Sequence, residues 1–161
     1  MTRMSNSGIS LIPENPDKVS WVVDRVRDAF VEHLIGDCGA DPLTAEETAT
    51  EICNRELTIS RSETKTNFLS IAREGEPVGV IWKTERMISD RKTWHLLYIE
   101  TFAPHRNKGI AEAAMIELIR LAKQDGVTEI TLNVSPRNTS ASSLYEKLGF
   151  GRQSGGYGLR L

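Results

Sequence analysis

The sequence predicts a mixed α/β fold, a central mixed sheet flanked by helices. Three observations lead there. Helical and strand periodicities alternate along the chain, turn-forming Gly, Pro and Asn fall between them, and Thr93 to Thr101 is one continuously apolar run too full for a sheet with a wet face. The 161 residues, 39% of them hydrophobic, suit a single domain over 1–161 with a substantial core.

The elements follow in order. Ile9 to Ile12 is a short apolar strand, and Asn15-Pro16 behind it supplies an N-cap and a proline for the first helical position. The helix beyond carries Val19, Val22, Val23, Val26, Phe30 and Leu34 at helical spacing, with Gly36 as its stop. Thr44-Ala45-Glu46-Glu47 fits a capping box, and Ala45, Thr48, Ala49, Ile52, Cys53 and Leu57 trace the stripe of a second helix. Phe68 to Arg73 and Val78 to Thr84 are strand-like and flank Glu74-Gly75-Glu76-Pro77, which predicts an antiparallel hairpin. Thr93 to Thr101 is the predicted central strand, with Glu85 to Lys92 as the loop leading into it.

From Gly109 a helix presents Ile110, Ala114, Leu118, Leu121 and Ala122 on one side and ends near Gly126. Ile130, Leu132 and Val134 alternate with Thr131 and Asn133 in a half-buried strand, which Pro136 ends because proline has no donor for the ladder. Asn138 caps a helix with Ala141, Leu144, Tyr145 and Leu148 on one face, and Gly149 stops it. Gly151 to Gly158 reads as a flexible hairpin turn, and Tyr157, Leu159 and Leu161 alternate in a last strand. The predicted order is βααβββαβαβ.

Composition narrows the function. A formal net charge of -2 and a pI near 6.0 give no global attraction to nucleic acid or anionic membrane. No apolar run approaches a bilayer span, and Met1 to Ser10 lacks a basic flank and an apolar signal core, so a cytoplasmic location is expected. Cys38 and Cys53 lie in no metal-like spacing and read as free thiols, and no metal site is expected. Neither Gly-x-Gly-x-x-Gly after the first strand nor a Gly-Lys-Ser/Thr loop is present, which disfavours dinucleotide and nucleoside-triphosphate folds.

The segment richest in chemistry is Arg106-Asn107-Lys108-Gly109-Ile110-Ala111, where a strand gives way to a helix. The first N–H groups of a helix lack intrahelical partners and carry the positive end of its dipole, so a glycine turn opening a helix can grip a phosphate. Arg106 and Lys108 add two cations. Pro104 withdraws one donor from the approach to this turn.

Arg106-x-x-Gly109-x-Ala111 in this setting resembles the acetyl-coenzyme A signature of the GNAT superfamily, the Gcn5-related N-acetyltransferases. Asn138 to Phe150, an Asn-capped helix with a Leu144-Tyr145 pair closing on Gly149-Phe150, resembles the family's second hallmark. The resemblance runs from about Phe68 to the C-terminus, and the first half matches only as strand, helix, helix. It implies the GNAT fold with a splayed central sheet, acetyl-CoA as cosubstrate, and transfer of its acetyl group to a primary amine of a small molecule or peptide.

Acyl transfer from a thioester to an amine needs a polarised carbonyl, a neutral amine and a proton for the departing thiolate. Where the central strand meets its neighbour the sheet should splay, freeing backbone donors at Thr101, Phe102 and Ala103 for the pantetheine arm and the acetyl oxygen. The pyrophosphate would rest on the amides of Arg106, Asn107, Lys108, Gly109, Ile110 and Ala111, and Asn138 would bond the arm. Tyr145 is the candidate general acid, against a reading as packing with a hydroxyl handle. Glu100 is the candidate base, directly or through water, against a reading as an ion-paired strand-end carboxylate. His95 and His105 rank below it, and Trp82 and Trp94 are either acceptor-pocket walls or core.

Asp37, Asp41, Glu46, Glu47, Glu51 and Glu56 stand against the single base Arg55. They suit a cationic acceptor or a solvated helix face equally simply. Two function classes remain: an acetyltransferase, monomeric or homodimeric, and a non-catalytic acyl-CoA-binding sensor or regulatory module.

Overall fold

The computed structural model describes residues 8–63, 67–153 and 156–161. The start of the stretch read for a leader, and the tip of the Gly151 to Gly158 hairpin, lie outside the described residues. Seven strands form one sheet in the order β1-β2-β3-β4-β5-β7-β6. In chain order the elements are β1 (Ile9–Pro13), α1 (Val19–Gly36), α2 (Pro42–Glu63), β2 (Phe68–Arg73), β3 (Glu76–Ile88), β4 (Arg91–Thr101), α3 (Ile110–Gln124), β5 (Glu129–Leu132), α4 (Thr139–Lys147), β6 (Gly151–Gln153) and β7 (Gly156–Arg160). The sequence order holds with β6 added, formed by part of the segment read as a turn.

Local chemistry explains most boundaries. Asn15 accepts from the Asp17 N–H at 3.0 Å, but the turn it caps is a 3-10 turn over Pro16–Lys18, and α1 begins one residue later. The expected capping box at Thr44 gives way to Asp41, whose carboxylate takes the Thr44 N–H at 3.0 Å and its hydroxyl at 2.6 Å, with Pro42 as the first helical residue. Glu85 to Lys92 is not a loop. β3 and β4 run on through it, pairing Glu85 with Trp94 and Ile88 with Arg91, and turn at Ser89 and Asp90, both at positive φ.

The faces of the sheet carry separate cores. α1 and α2 press Val22, Val26 and Cys53 against Val80 and Trp82 on one side. On the other, α3 and α4 cover Ile81, Leu96 and Ile130 with Ala114, Leu118 and Tyr145. Trp82 stacks on Phe68 at 4.9 Å and is fully buried, so it and Trp94 are core side chains rather than pocket walls.

β4 is the central strand, as its apolar run implies, and it is the place where the sheet opens. Its parallel pairing with β5 spans only Thr93–Leu96 against Glu129–Leu132. The strand expected to reach Pro136 therefore leaves the ladder after Leu132, before proline chemistry can end it. On the opposite side the β3–β4 register skips from Trp82–Tyr98 to Lys83–Leu96. Leu97 has no Cα partner on either side, a β-bulge at the point of divergence.

Lys83 is 2% exposed, with its ammonium 3.9 Å from the centre of the Trp94 ring. Burial pushes its pKa from 10.5 down to about 8, because the charged form is poorly solvated there. A base with a lowered folded-state pKa penalises folding fully below about pH 8, and the penalty fades as pH rises toward the unfolded-state value. That penalty is roughly 3 kcal/mol, offset in part by the cation–π contact. Lys83→Met should raise Tm at pH 7 by about 5 °C, and the gap to wild type should close between about pH 8 and 10.5 in thermal melts.

Candidate functional site

The divergence of β4 and β5 leaves a cleft of about 850 Å³. Its walls come from the middle of β4, the chain leaving β5, α4, the β6–β7 hairpin and the C-terminal half of α1. Close contact keeps the hairpin in place. A methyl added to Gly156 would lie 2.4 Å from the Leu132 carbonyl oxygen, so only glycine lets β7 approach the end of β5 there.

Beyond Leu97, β4 still pairs with β3, and the Phe102 N–H donates to the Val78 carbonyl at 2.8 Å. That bond corrects one expectation, because the Phe102 donor belongs to the sheet and is not free. Antiparallel bonding alternates, so Ile99 and Thr101 turn their backbone groups away from β3, toward the gap. The Thr101 carbonyl there accepts from Arg106 Nε at 3.1 Å, and its hydroxyl is buried with no hydrogen-bond partner among the described residues.

The turn after β4 has the features of an anion cradle. A 3-10 turn over Ala103–His105 takes up the Arg106 N–H at 3.3 Å, so the free amides begin at Asn107 and not at Arg106. Asn107 at φ 62° and Gly109 at φ 73° are left-handed, and asparagine is among the few other residues that tolerate this region. Nothing crowds Gly109, so φ alone demands glycine there. The first intrahelical bond of α3 runs from the Ala113 N–H to the Gly109 carbonyl at 3.1 Å, leaving the amides ahead of it facing out. Ala111 lies within the helix, at negative φ, where its methyl is harmless. Ile110 anchors the helix start in the core at 3% exposure, while Arg106 and Lys108 are exposed.

Tyr145 and Asn138 both line the cleft. Asn138 caps α4 by accepting from the Ala141 N–H at 3.1 Å. Tyr145 is 6% exposed, tilts against Phe150 at 5.6 Å, and its hydroxyl bonds to no described residue. Burial pushes its phenol up to about 12, which keeps it protonated.

Glu100 is placed differently from the expectation. Arg25 of α1 grips both its oxygens, Nε at 2.7 Å from Oε2 and Nη2 on Oε1. The pair faces α1, and Glu100 is not among the residues lining the cleft. His95, ranked below it from sequence, does line the cleft, with Nδ1 2.7 Å from the Thr131 hydroxyl. Desolvation, then the nearby Arg86 charge, lowers its pKa below 6.5, leaving a neutral imidazole at pH 7. His105 sits in the 3-10 turn and does not line the cleft. Sequence periodicity placed His95 in a strand but could not reveal its face, because the bulge two residues later resets the alternation.

At the mouth, Asp37 ties the end of α1 to the chain after β5. It accepts from His33 Nδ1 at 2.7 Å and from the Ser135 hydroxyl, and Arg137 Nε lies 3.1 Å away. The Ser135 bond, then that of His33, holds its carboxyl below the usual range. The other acids of the run expected to meet a cation also have structural partners or lie elsewhere. Asp41 caps α2, Glu56 is buried against Arg86 at 2.9 Å, and Glu46 lines a separate hollow between α1 and α2. Among the described residues no helix is long and apolar enough to cross a membrane. Cys38 is exposed and Cys53 buried, both unbridged.

Residues 27–150 match the family described as Acetyltransferase (GNAT) family. The chain belongs to this family. It is 31% identical over 78 residues to N-acetyltransferase family 8 member 2 of Rattus norvegicus, a match covering 47% of this chain and about a third of that relative, 34%. YycN, an acetyltransferase-type structure of Bacillus subtilis, superimposes with a TM-score of 0.75 at 21% identity, covering 90% of this chain and 93% of that one. PaiA N-acetyltransferase of Thermoplasma acidophilum, solved with coenzyme A, gives 0.63 at 16% identity over 95% and 99%. The GNAT fold predicted from the second half of the sequence is thereby shown.

A cradle of amides at Asn107 to Ala111 and two exposed cations fit a pyrophosphate. Coenzyme A at about a hundred times its Kd should raise Tm by roughly 5–10 °C, whereas NAD should not. Lys108→Gln should keep the ligand-free Tm and shrink that rise, most visibly at low salt. A full-sized rise in the variant at low ionic strength would move the phosphate site elsewhere.

Proposed function

We propose that this chain transfers the acetyl group of acetyl-CoA directly to a primary amine, with Tyr145 as general acid and His95 as base. The carrying observation is that both groups line the one cleft, Tyr145 kept protonated by burial and His95 kept neutral by burial and the Arg86 charge. The backbone groups of Ile99 and the N–H of Thr101, turned away from β3, and the bulge at Leu97 are available to the arm and the acetyl carbonyl. The amide cradle of α3 takes the pyrophosphate.

The chemistry then balances. With Nδ1–H donating to Thr131, His95 Nε2 takes a proton from the acceptor ammonium. The amine nitrogen attacks the thioester carbon, the C–S bond breaks, and the Tyr145 hydroxyl protonates the departing sulfur. The second proton of the attacking nitrogen then passes to the Tyr145 phenolate, and His95 sheds its proton to solvent. The products are an amide and coenzyme A thiol. Glu100 serves as a strut, since a carboxylate held bidentately by Arg25 has no free oxygen to offer a proton. Peptide binding of the kind seen in Arabidopsis thaliana Naa50, solved with a CoA-Ac-MVNAL bisubstrate analogue, shows that this fold accommodates an amine of a peptide in that protein. Retention of both proton carriers in the cleft favours catalysis over the non-catalytic sensor.

Tyr145→Phe should lower kcat by about 10²- to 10⁴-fold with folding intact. In the wild type, kcat/KM should lose activity on the acid side at a pH below 6.5, as His95 gains its proton, and Tyr145 should impose no alkaline limit below about pH 10. His95→Gln should remove that acid limb and cut kcat, whereas Glu100→Gln should lower Tm and leave the profile's shape alone. An acid limb that vanished in Glu100→Gln instead would return the base to that residue.

A further inference from the structure

Resting on the acetyltransferase reading, we propose that the acceptor is an apolar or aromatic amine bearing a carboxylate and no second cationic group, with Arg152 meeting that carboxylate.

The wall chemistry carries it. Among the described residues lining the cleft there is no aspartate or glutamate. The side chains that would surround an acceptor's body are Phe30, Leu97, Tyr98 and Tyr157, apolar or aromatic surfaces that favour a body of the same kind. A polyamine or aminoglycoside would bring further ammonium groups into this space. Each would lose water and find no carboxylate in return, a cost that an uncompensated buried charge cannot recover.

Glu100, Asp37 and Glu56 do not alter this, because each is ion-paired where it stands. Arg25 holds Glu100, Arg137 and His33 hold Asp37, and Arg86 holds Glu56. Among the described residues the one lining side chain with a permanent charge is Arg152 of β6. Among the described residues it is ion-paired with Glu146, at 3.8 Å between two largely exposed groups. Exposed pairs of that length hold weakly, so a substrate carboxylate can displace Glu146 from the guanidinium. Glu146 also accepts the Tyr157 hydroxyl at 3.4 Å, so its release from Arg152 leaves it with a partner.

The test compares L-phenylalanine, L-phenylalaninamide and spermidine as acceptors, with thiol release from acetyl-CoA as readout. Phenylalanine should exceed the amide in kcat/KM by about tenfold and spermidine by more, as expected of one charge-assisted contact. Arg152→Gln should raise KM for phenylalanine about fivefold, leaving kcat and the amide's KM unchanged, and Glu146→Gln should lower that KM. Equal use of acid and amide, preference for spermidine, or an Arg152→Gln effect common to all three would overturn the inference. So would silence from all three acceptors, while thiol release with some other amine would leave the acetyltransferase reading standing. Failure of every amine tested would remove that reading as well.

Discussion

The structure depends on a parallel pairing that stops early. β4 and β5 share four residue pairs and then separate at Leu96 and Leu132, and at Leu97 β4 has lost its partner on both sides. Unmet backbone groups inside a protein cost about 1–3 kcal/mol each, so such an opening persists only where the surrounding elements hold it. Here they do. β3 stays paired with the far edge of β4 on both sides of the bulge, and glycine at position 156 lets β7 close on the end of β5. The opening is thus a property of the fold, and the polar edge it exposes is what a pantetheine arm can complete.

The same economy governs the charges. Carboxylates that looked free for chemistry in the sequence are used to hold α1 and α2 in place. Arg25–Glu100 fastens α1 to the end of β4, Arg86–Glu56 fastens α2 to β3, and Asp37 reaches across the mouth to Ser135 and Arg137 on the other arm of the splay. These links set the width of the cleft from outside it. Inside, the ionisable groups are few; burial raises the Tyr145 phenol, and burial together with the Arg86 charge lowers the His95 imidazole, which separates a protonated phenol from a neutral imidazole.

Where the sequence was legible, the signal was local. The Asn138 cap, the Gly149 stop at φ 95°, the Gly109 turn and the helical stripe of α3 rest on contacts within a few residues, and all lie where the sequence puts them. The glycine turn before α3 was readable for that reason, and the structure adds that Gly109 is left-handed there. Misreadings have a common cause in long-range pairing. Glu85 to Lys92 has the polar look of a loop and became strand because each half had the other to pair with. Glu100 looked like a base because its partner, Arg25, lies 75 residues away in the chain.

The sequence by itself determined the order of elements apart from β6, the buried face of each helix and the glycine turn that opens α3, since periodicity, caps and backbone conformational preference act over one or two turns of chain. Only the tertiary structure decided which side chains share the cleft. A bulge at Leu97 shifts the face of every residue around it, and a one-residue slip in a strand reverses what points inward. That is why His95 stands in the cleft and Glu100 against α1, an assignment that no spacing along the chain could have made.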